Sequence, residues 1–203
     1  MMGKLCLLVL LLIGSVNTDR LYLPVHVTDR TDTRLISLTH IGQYGLKRKA
    51  RPTVPSHYHT GIDIKRPTSN YINEPVYAAG KGRVISVRND GPFSQIIIEH
   101  ESNNDILWTV YEHILGITCH AGDNVTDKTV VARFFNKSEL EKYGWQFDHL
   151  HFEILKVKPV KVKKNVKFPE YYYKTYAVTC FSVDDLCKRT VNPMEYFKSH
   201  TKK

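Results

Sequence analysis

The sequence predicts a mainly β protein whose antiparallel strands form a compact sheet or sandwich. Short runs rich in β-branched and aromatic residues indicate strands at 35–39, 82–87, 94–99 and 107–111. The Gly, Pro, Asn and Asp clusters that separate them, such as 89–92, are typical of tight turns. Helix signals are few, which disfavours a parallel sheet built from alternating strands and helices.

Three short helices are expected. Ser138 and Glu141 are spaced as a capping box, and Gly144 ends this helix within two turns. Segments 182–187 and 193–199 predict the other two, and Pro193 suits the first turn of the last one.

The N-terminus has the pattern of a secretory signal peptide over residues 1–18. Lys4 precedes an apolar run at 5–13, and small and polar residues follow at 14–17. The run is shorter than the roughly twenty apolar residues that a bilayer helix needs, so no stable membrane span is expected. The chain is therefore predicted to be secreted or periplasmic after cleavage, with an uncleaved short anchor as the alternative.

Length and charge limit the domain organisation and the partners. The 203 residues suit one domain, predicted at 35–199 between an extended lead-in at 19–34 and a basic tail at 200–203. An inserted ribbon at 156–190 begins with alternating Val and Lys and is expected at a solvated edge. The formal charge of +9 favours anionic surroundings such as wall polymers. No motif supports a nucleic-acid partner.

Cysteine spacing leaves the disulfide pairing open. After signal cleavage Cys119, Cys180 and Cys187 remain, and an oxidising compartment permits one bond among them. Cys180 with Cys187 is the most local pair, which would leave Cys119 free. A bond from Cys119 to either of the others is the alternative.

Two short patterns could build a metal site. His149 and His151 stand at the head of a predicted strand, where residues two apart share a face and bring their imidazoles together. His59 and Asp63 lie four apart across a bend at which Gly61 is expected to adopt positive φ. Two imidazoles and one carboxylate leave a zinc coordination position open, which is typical of catalytic sites. His57 competes with His59 and is expected at the rim of the site or behind its ligands.

His113 is the third candidate, at the end of the strand predicted at 107–111. Alternation places His113 on the same face as Tyr111. A histidine at the end of a buried strand is more often structural than catalytic, so this residue gains weight only in combination with the other two patterns.

In this order, His59 with Asp63, then His113, then His149 with His151 resemble the lysostaphin/LytM-type zinc metallopeptidases, which cut peptidoglycan peptides. The matching sequence segments are 58–64, 75–84, 121–125, 149–154 and 192–193, so the resemblance covers about residues 38–197. Two departures stand out. Bulky residues at 142–148 replace the usual glycine-rich turn, and 156–190 is an addition.

The resemblance implies an antiparallel β fold with a groove over the sheet. It implies that His59, Asp63 and His151 ligate one Zn²⁺ and that His113 and His149 are the unligated catalytic pair. The implied activity is a secreted zinc endopeptidase that hydrolyses peptidoglycan peptides. The alternative is a non-catalytic relative that acts as a binding or regulatory module at the cell wall or outside the cell.

Overall fold

A computed structural model describes residues 20–102 and 105–200. The strands in this part of the chain are β1 (Lys47–Arg48), β2 (His57–Tyr58), β3 (Ile62–Lys65), β4 (Pro75–Tyr77), β5 (Gly82–Arg88), β6 (Gln95–Ser102), β7 (Asp105–Glu112), β8 (Asn124–Val125), β9 (Val130–Arg133), β10 (His149–Leu155), β11 (Val160–Lys161), β12 (Tyr173–Lys174) and β13 (Thr190–Val191). The helices are α1 (Lys137–Tyr143), α2 (Val183–Arg189) and α3 (Pro193–Ser199). The 3-10 turns are Thr33–Leu35, Gly91–Phe93 and Trp145–Phe147.

The main sheet is antiparallel and has the strand order β13-β10-β7-β6-β5-β8. One edge of β10 pairs with β7, and its other edge is shared by two short strands. β3 pairs with the first half of β10, and β13 pairs with its last two residues. The predicted mainly β antiparallel fold is confirmed.

Three of the four predicted strands are confirmed, as β5, β6 and β7. The strand predicted at 35–39 is wrong. Asp32 caps a 3-10 turn by accepting from the Arg34 backbone N–H, and only Leu38 forms an isolated bridge, to Ile64. The local cap therefore outweighs the β propensity of this segment.

The three predicted helices are present, but the predicted capping box was misplaced. Asn136, not Ser138, is the N-cap of α1: its side chain accepts from the Glu139 backbone N–H, and the Glu139 carboxylate accepts from the Asn136 N–H. Ser182 caps α2, and Pro193 begins α3.

Two cores lie on the two faces of the sheet. Leu150, Phe152 and Ile154 of β10 belong to the main core, which the N-terminal residues Leu21, Leu23 and Val25 also fill. The smaller core on the opposite face consists of Ile97, Trp108, Val110 and Leu155. Tyr173 and Tyr176 of the 156–190 segment pack against the smaller core. The segment therefore covers a face of the sheet, and only β11 and β12 form the predicted ribbon.

All three described cysteines are free: Cys119 and Cys180 are buried and Cys187 is exposed. The Cys180–Cys187 disulfide is not formed in this structure. No helix within the described ranges has the length and apolarity to cross a membrane. The predicted signal peptide and residues 201–203 of the predicted tail lie outside the described residues.

Candidate metal centre

The register between β3 and β10 brings the first two candidate ligands together. Asp63 on β3 is paired directly with His151 on β10. His59 stands just before β3, and its side chain meets both of them. His59, Asp63 and His151 are each at most 5% exposed, so the cluster is screened from bulk water.

Gly61 permits this approach, although not in the way that the sequence suggested. Its φ is not positive, so the expected left-handed bend is wrong. Instead, a Cβ at this position would lie 2.2 Å from the backbone oxygen of Phe152. A side chain is excluded here because the two strands pass at backbone contact.

The three ligand atoms form a nearly equilateral triangle. His59 Nε2 lies 3.0 Å from Asp63 Oδ1 and 3.0 Å from His151 Nδ1, and the last two atoms are 2.9 Å apart. Tetrahedral zinc with bonds of about 2.0–2.2 Å holds its ligand atoms about 3.3–3.6 Å apart. The triangle therefore accepts zinc after an opening of a few tenths of an ångström.

Hydrogen bonds on the far side of each ring orient the ligand nitrogens. His59 Nδ1 lies 2.9 Å from the Gln43 carbonyl oxygen, and His151 Nε2 lies 2.8 Å from Glu153 Oε1. When these far nitrogens donate, the two near nitrogens present lone pairs to Asp63. Three acceptors within 3 Å repel one another unless a cation or a proton lies among them, so the donor set fits a metal ion.

The surrounding charges also favour positive charge at this point. Burial disfavours a charged His151, but hydrogen bonds to Asp63 and Glu153 raise its pKa well above the ordinary value. Arg48 Nη2 contacts Asp63 Oδ2 at 2.8 Å, which leaves Oδ1 for the ligand triangle. Asp63 is thereby prepared to bind a metal through one oxygen.

His149 lies beside the triangle and outside it. It shares a face of β10 with His151, as the alternation predicted, and its Nε2 is 3.8 Å from Asp63 Oδ1. Burial and the neighbouring His113 lower the pKa of His149 to about 3. The imidazole is therefore neutral near pH 7.

The His113 side chain also lies beside the ligand triangle, because its backbone departs from the extended conformation of β7. β7 ends at Glu112, and His113 has a φ of 59°. Tyr111 lies in the main core, so the expected shared face of Tyr111 and His113 is wrong. The left-handed backbone turns the His113 ring to an edge-on contact with His149, with centroids 4.9 Å apart. Its Nδ1 lies 2.6 Å from the Pro92 carbonyl oxygen.

Aromatic rings form a wall beside the two free histidines. Phe147 packs against His113 with centroids 5.0 Å apart, and Phe93 contacts both of these rings. Trp145 is 51% exposed and lies edge-on to Tyr71. The bulky segment at 142–148 therefore contributes Phe147 to this wall, whereas Trp145 packs on Tyr71.

The structure brings all five predicted site residues together: His59, Asp63, His113, His149 and His151. His57 is buried separately, with Nδ1 2.8 Å from the Pro55 carbonyl oxygen.

Sequence reasoning missed Arg48 and Glu153. An acidic residue two positions after a candidate ligand histidine, on the same strand face, was the available signal for Glu153. Arg48 has no comparable signal in the sequence.

The family model of peptidase family M23 matches residues 57–165, which is more than half of the chain. The chain belongs to peptidase family M23. This confirms the resemblance to lysostaphin/LytM-type peptidases. No curated protein matches the chain by sequence.

Several solved structures are similar to this M23 chain. A zinc-containing peptidase from Vibrio cholerae is 28% identical, with a TM-score of 0.44, over 67% of this chain and 37% of that one. Lysostaphin from Staphylococcus simulans is 18% identical, with a TM-score of 0.48, over 83% and 53%. A SpoIIQ–SpoIIIAH pore-forming complex is 17% identical, with a TM-score of 0.45, over 88% and 91%. This M23 chain thus spans about a third of the V. cholerae peptidase.

Proposed function

We propose that this protein is a secreted zinc endopeptidase that hydrolyses peptide bonds in the cross-links or stem peptides of bacterial peptidoglycan. Membership of peptidase family M23 supports a peptidase. One observation carries the proposal: the His113 and His149 side chains lie beside the three candidate ligands but do not belong to the ligand triangle. A purely structural zinc site is normally closed by four protein ligands.

In this proposal His59, Asp63 and His151 hold one Zn²⁺. A zinc ion held here would lower the pKa of a water molecule and would polarise the carbonyl of the scissile peptide. The triangle supplies three ligand atoms, and no fourth His, Cys, Asp or Glu of the described residues belongs to this group.

The two free imidazoles divide the acid–base work. His113 Nδ1 donates to the Pro92 carbonyl, so its Nε2 carries a lone pair that can take a proton from the attacking water. The proton that His113 has taken can then pass to the leaving amine, and His149, in contact with His113, is placed to stabilise the developing oxyanion by donating a hydrogen bond. The sequence contains no HExxH motif, so no glutamate of that kind competes for these roles.

The basic surface fits an anionic wall as the setting of this reaction. Lys161, Lys163 and Lys164 of the 156–190 segment are exposed. We propose that they attract anionic wall polymers through charge, and that the signal peptide at residues 1–18 delivers the protein to that compartment.

The test is zinc content and peptide release from purified peptidoglycan for the wild type, His151→Ala and His149→Ala. His151→Ala is expected to lose both zinc and turnover. His149→Ala is expected to keep most of its zinc and to lose turnover by about a hundredfold or more. His120→Ala is the matched control, because the His120 side chain is 77% exposed and lies outside the site.

Each outcome decides a separate part of the proposal. Unchanged zinc in His151→Ala would overturn the ligand assignment. Full peptide release by His149→Ala would overturn its catalytic role. A wild type that binds zinc and peptidoglycan but releases no peptide would instead establish the non-catalytic binding module.

A further inference from the structure

Glu153 sits directly behind the predicted zinc ligand His151 and is fully buried. Its Oε1 accepts hydrogen bonds from His151 Nε2 at 2.8 Å and from the Thr60 hydroxyl at 2.6 Å. Its Oε2 accepts from the Thr175 hydroxyl. Both carboxylate oxygens are therefore satisfied, as a buried charge requires.

The three donors come from three separate parts of the chain. His151 is on the same strand as Glu153, and Thr60 lies in the bend before β3. Thr175 belongs to the 156–190 segment and lies outside residues 57–165, which match the M23 family model. One donor to this carboxylate thus comes from the part of the chain that follows the family match.

The segment is held where Thr175 can make this contact. The Cys180 carbonyl accepts from the Tyr58 N–H at 2.8 Å, next to His59. The Ser86 hydroxyl donates to the Tyr173 carbonyl at 3.0 Å, and Tyr173 packs on the smaller core. The segment therefore has contacts on both sides of Thr175.

We propose that Thr175 is a positioning residue for the metal centre, and that the 156–190 segment completes the site through it. This inference rests on the proposed zinc site. Thr175 fixes the Glu153 carboxylate, Glu153 fixes the His151 ring, and the ring directs Nδ1 at the metal. Carboxylates that orient ligand histidines in this way contribute about 10–100-fold to metal affinity.

Removal of the Thr175 hydroxyl leaves Oε2 buried without a donor. A buried, unsatisfied carboxylate oxygen is costly, so Glu153 is expected to rotate or to draw in water. Either response loosens its bond to His151 Nε2. The ligand ring then loses its fixed orientation while the three ligand side chains remain present.

The experiment compares Thr175→Val, which replaces the hydroxyl by a methyl group, with Thr175→Ser, which keeps it. Thr179→Val is the matched control, because the Thr179 hydroxyl donates to the Tyr176 carbonyl in the same segment and does not touch Glu153. The Zn²⁺ dissociation constant is measured by competition with a chromophoric chelator, and the visible spectrum of the Co²⁺ form reports ligand geometry. The thermal midpoint of each metal-free variant checks folding, and Thr175→Ala repeats the measurements should Thr175→Val not fold.

Thr175→Val is expected to weaken zinc binding by about tenfold or more and to alter the Co²⁺ spectrum, whereas Thr175→Ser and Thr179→Val stay within about threefold of the wild type. Zinc affinity of Thr175→Val close to that of the wild type would overturn the inference. A Thr175→Ser variant as weak as Thr175→Val would overturn it too, by assigning the effect to packing. A wild type that binds no zinc would be a failure of the proposed function.

Discussion

The His113 and His149 rings meet edge to face, with centroids 4.9 Å apart, although the alternation of β7, continued by one residue, would send His113 to the face of the sheet opposite His149. On β10, His149 lies on the face of the sheet opposite that of the core residues Leu150 and Phe152. On β7 the odd-numbered Tyr111 lies in that same core. The positive φ at His113 interrupts the alternation of side chains and brings the two imidazoles together.

This relationship predicts different outcomes for two substitutions of His113. Asn adopts the left-handed region readily, so His113→Asn should fold and bind zinc like the wild type while turnover falls by about a hundredfold or more. A β-branched residue is strained there, so His113→Val should also lose about 1–3 kcal/mol of unfolding free energy. Zinc titration, peptide release and urea denaturation of the metal-free forms check this. Equal stability of the two variants would show that the backbone at His113 carries no strain.

Arg48 predicts a link between zinc and stability. Its guanidinium neutralises Asp63 in an ion pair whose side chains are 17% and 6% exposed. Arg48→Met removes this partner and leaves Asp63 only its contacts with His59 and His151, so the metal-free variant should lose about 1–2 kcal/mol of unfolding free energy, less than for a buried charge left without any partner. Added zinc supplies the missing positive charge and should therefore raise the thermal midpoint more in the variant than in the wild type. Lys47→Met, at the exposed neighbouring position, is the control. An equal zinc-induced rise in both proteins would contradict the prediction.

Gly61 predicts a steric effect on the site. The Cβ of Gly61→Ala would meet the Phe152 backbone oxygen at 2.2 Å, so β3 must shift away from β10. We expect Gly61→Ala to lose about 3 kcal/mol or more of unfolding free energy. Zinc affinity should fall as well, because His59 and Asp63 move relative to His151.

Gly45→Ala separates this clash from the cost of backbone conformation alone. Gly45 has a φ of +75°, but a Cβ added there would meet nothing closer than 3.6 Å. Gly45→Ala is therefore expected to lose only about 1–2 kcal/mol of unfolding free energy. Chemical denaturation and zinc titration of both variants test the distinction. A milder effect at Gly61 than at Gly45 would refute it.

His100 predicts acid sensitivity away from the site. Burial lowers the pKa of His100 from 6.5 to about 4, although its hydrogen bond to the Lys81 carbonyl opposes this shift. As the pH falls, the unfolded chain therefore binds the proton before the folded chain does. The stability that neutral His100 contributes is fully present above pH 6.5 and is lost as the pH falls to 4. About 2 kcal/mol of unfolding free energy should be lost at pH 5.

His100→Gln should therefore lose less stability between pH 7.5 and pH 5 than the wild type, by about 2 kcal/mol. Urea denaturation of the metal-free proteins at both pH values measures this difference. His120→Gln, at an exposed position, is the control. A variant with the same pH dependence as the wild type would show that His100 is not the responsible group.

Three of the longer strands could be predicted from local patterns, and the five candidate site residues from two local spacings and the order of the motifs along the chain. Alternation identified β5, β6 and β7, and the two-residue spacing placed His149 and His151 on one face. Errors arose where a local competitor or a neighbouring strand decided the outcome. Asp32 capped a turn in place of a strand at 35–39, and Asn136 rather than Ser138 began α1.

The sequence by itself determined the mainly β class, the family and the residues that could hold a metal, since periodicity and motif order are properties of the chain. The tertiary structure alone decided that Arg48 contacts Asp63, that Thr175 contacts Glu153 and that His113 turns toward His149. These contacts depend on strand register and on backbone torsion, and they link residues that are distant in the chain. No local pattern encodes such distances, because they are fixed only when the strands pack.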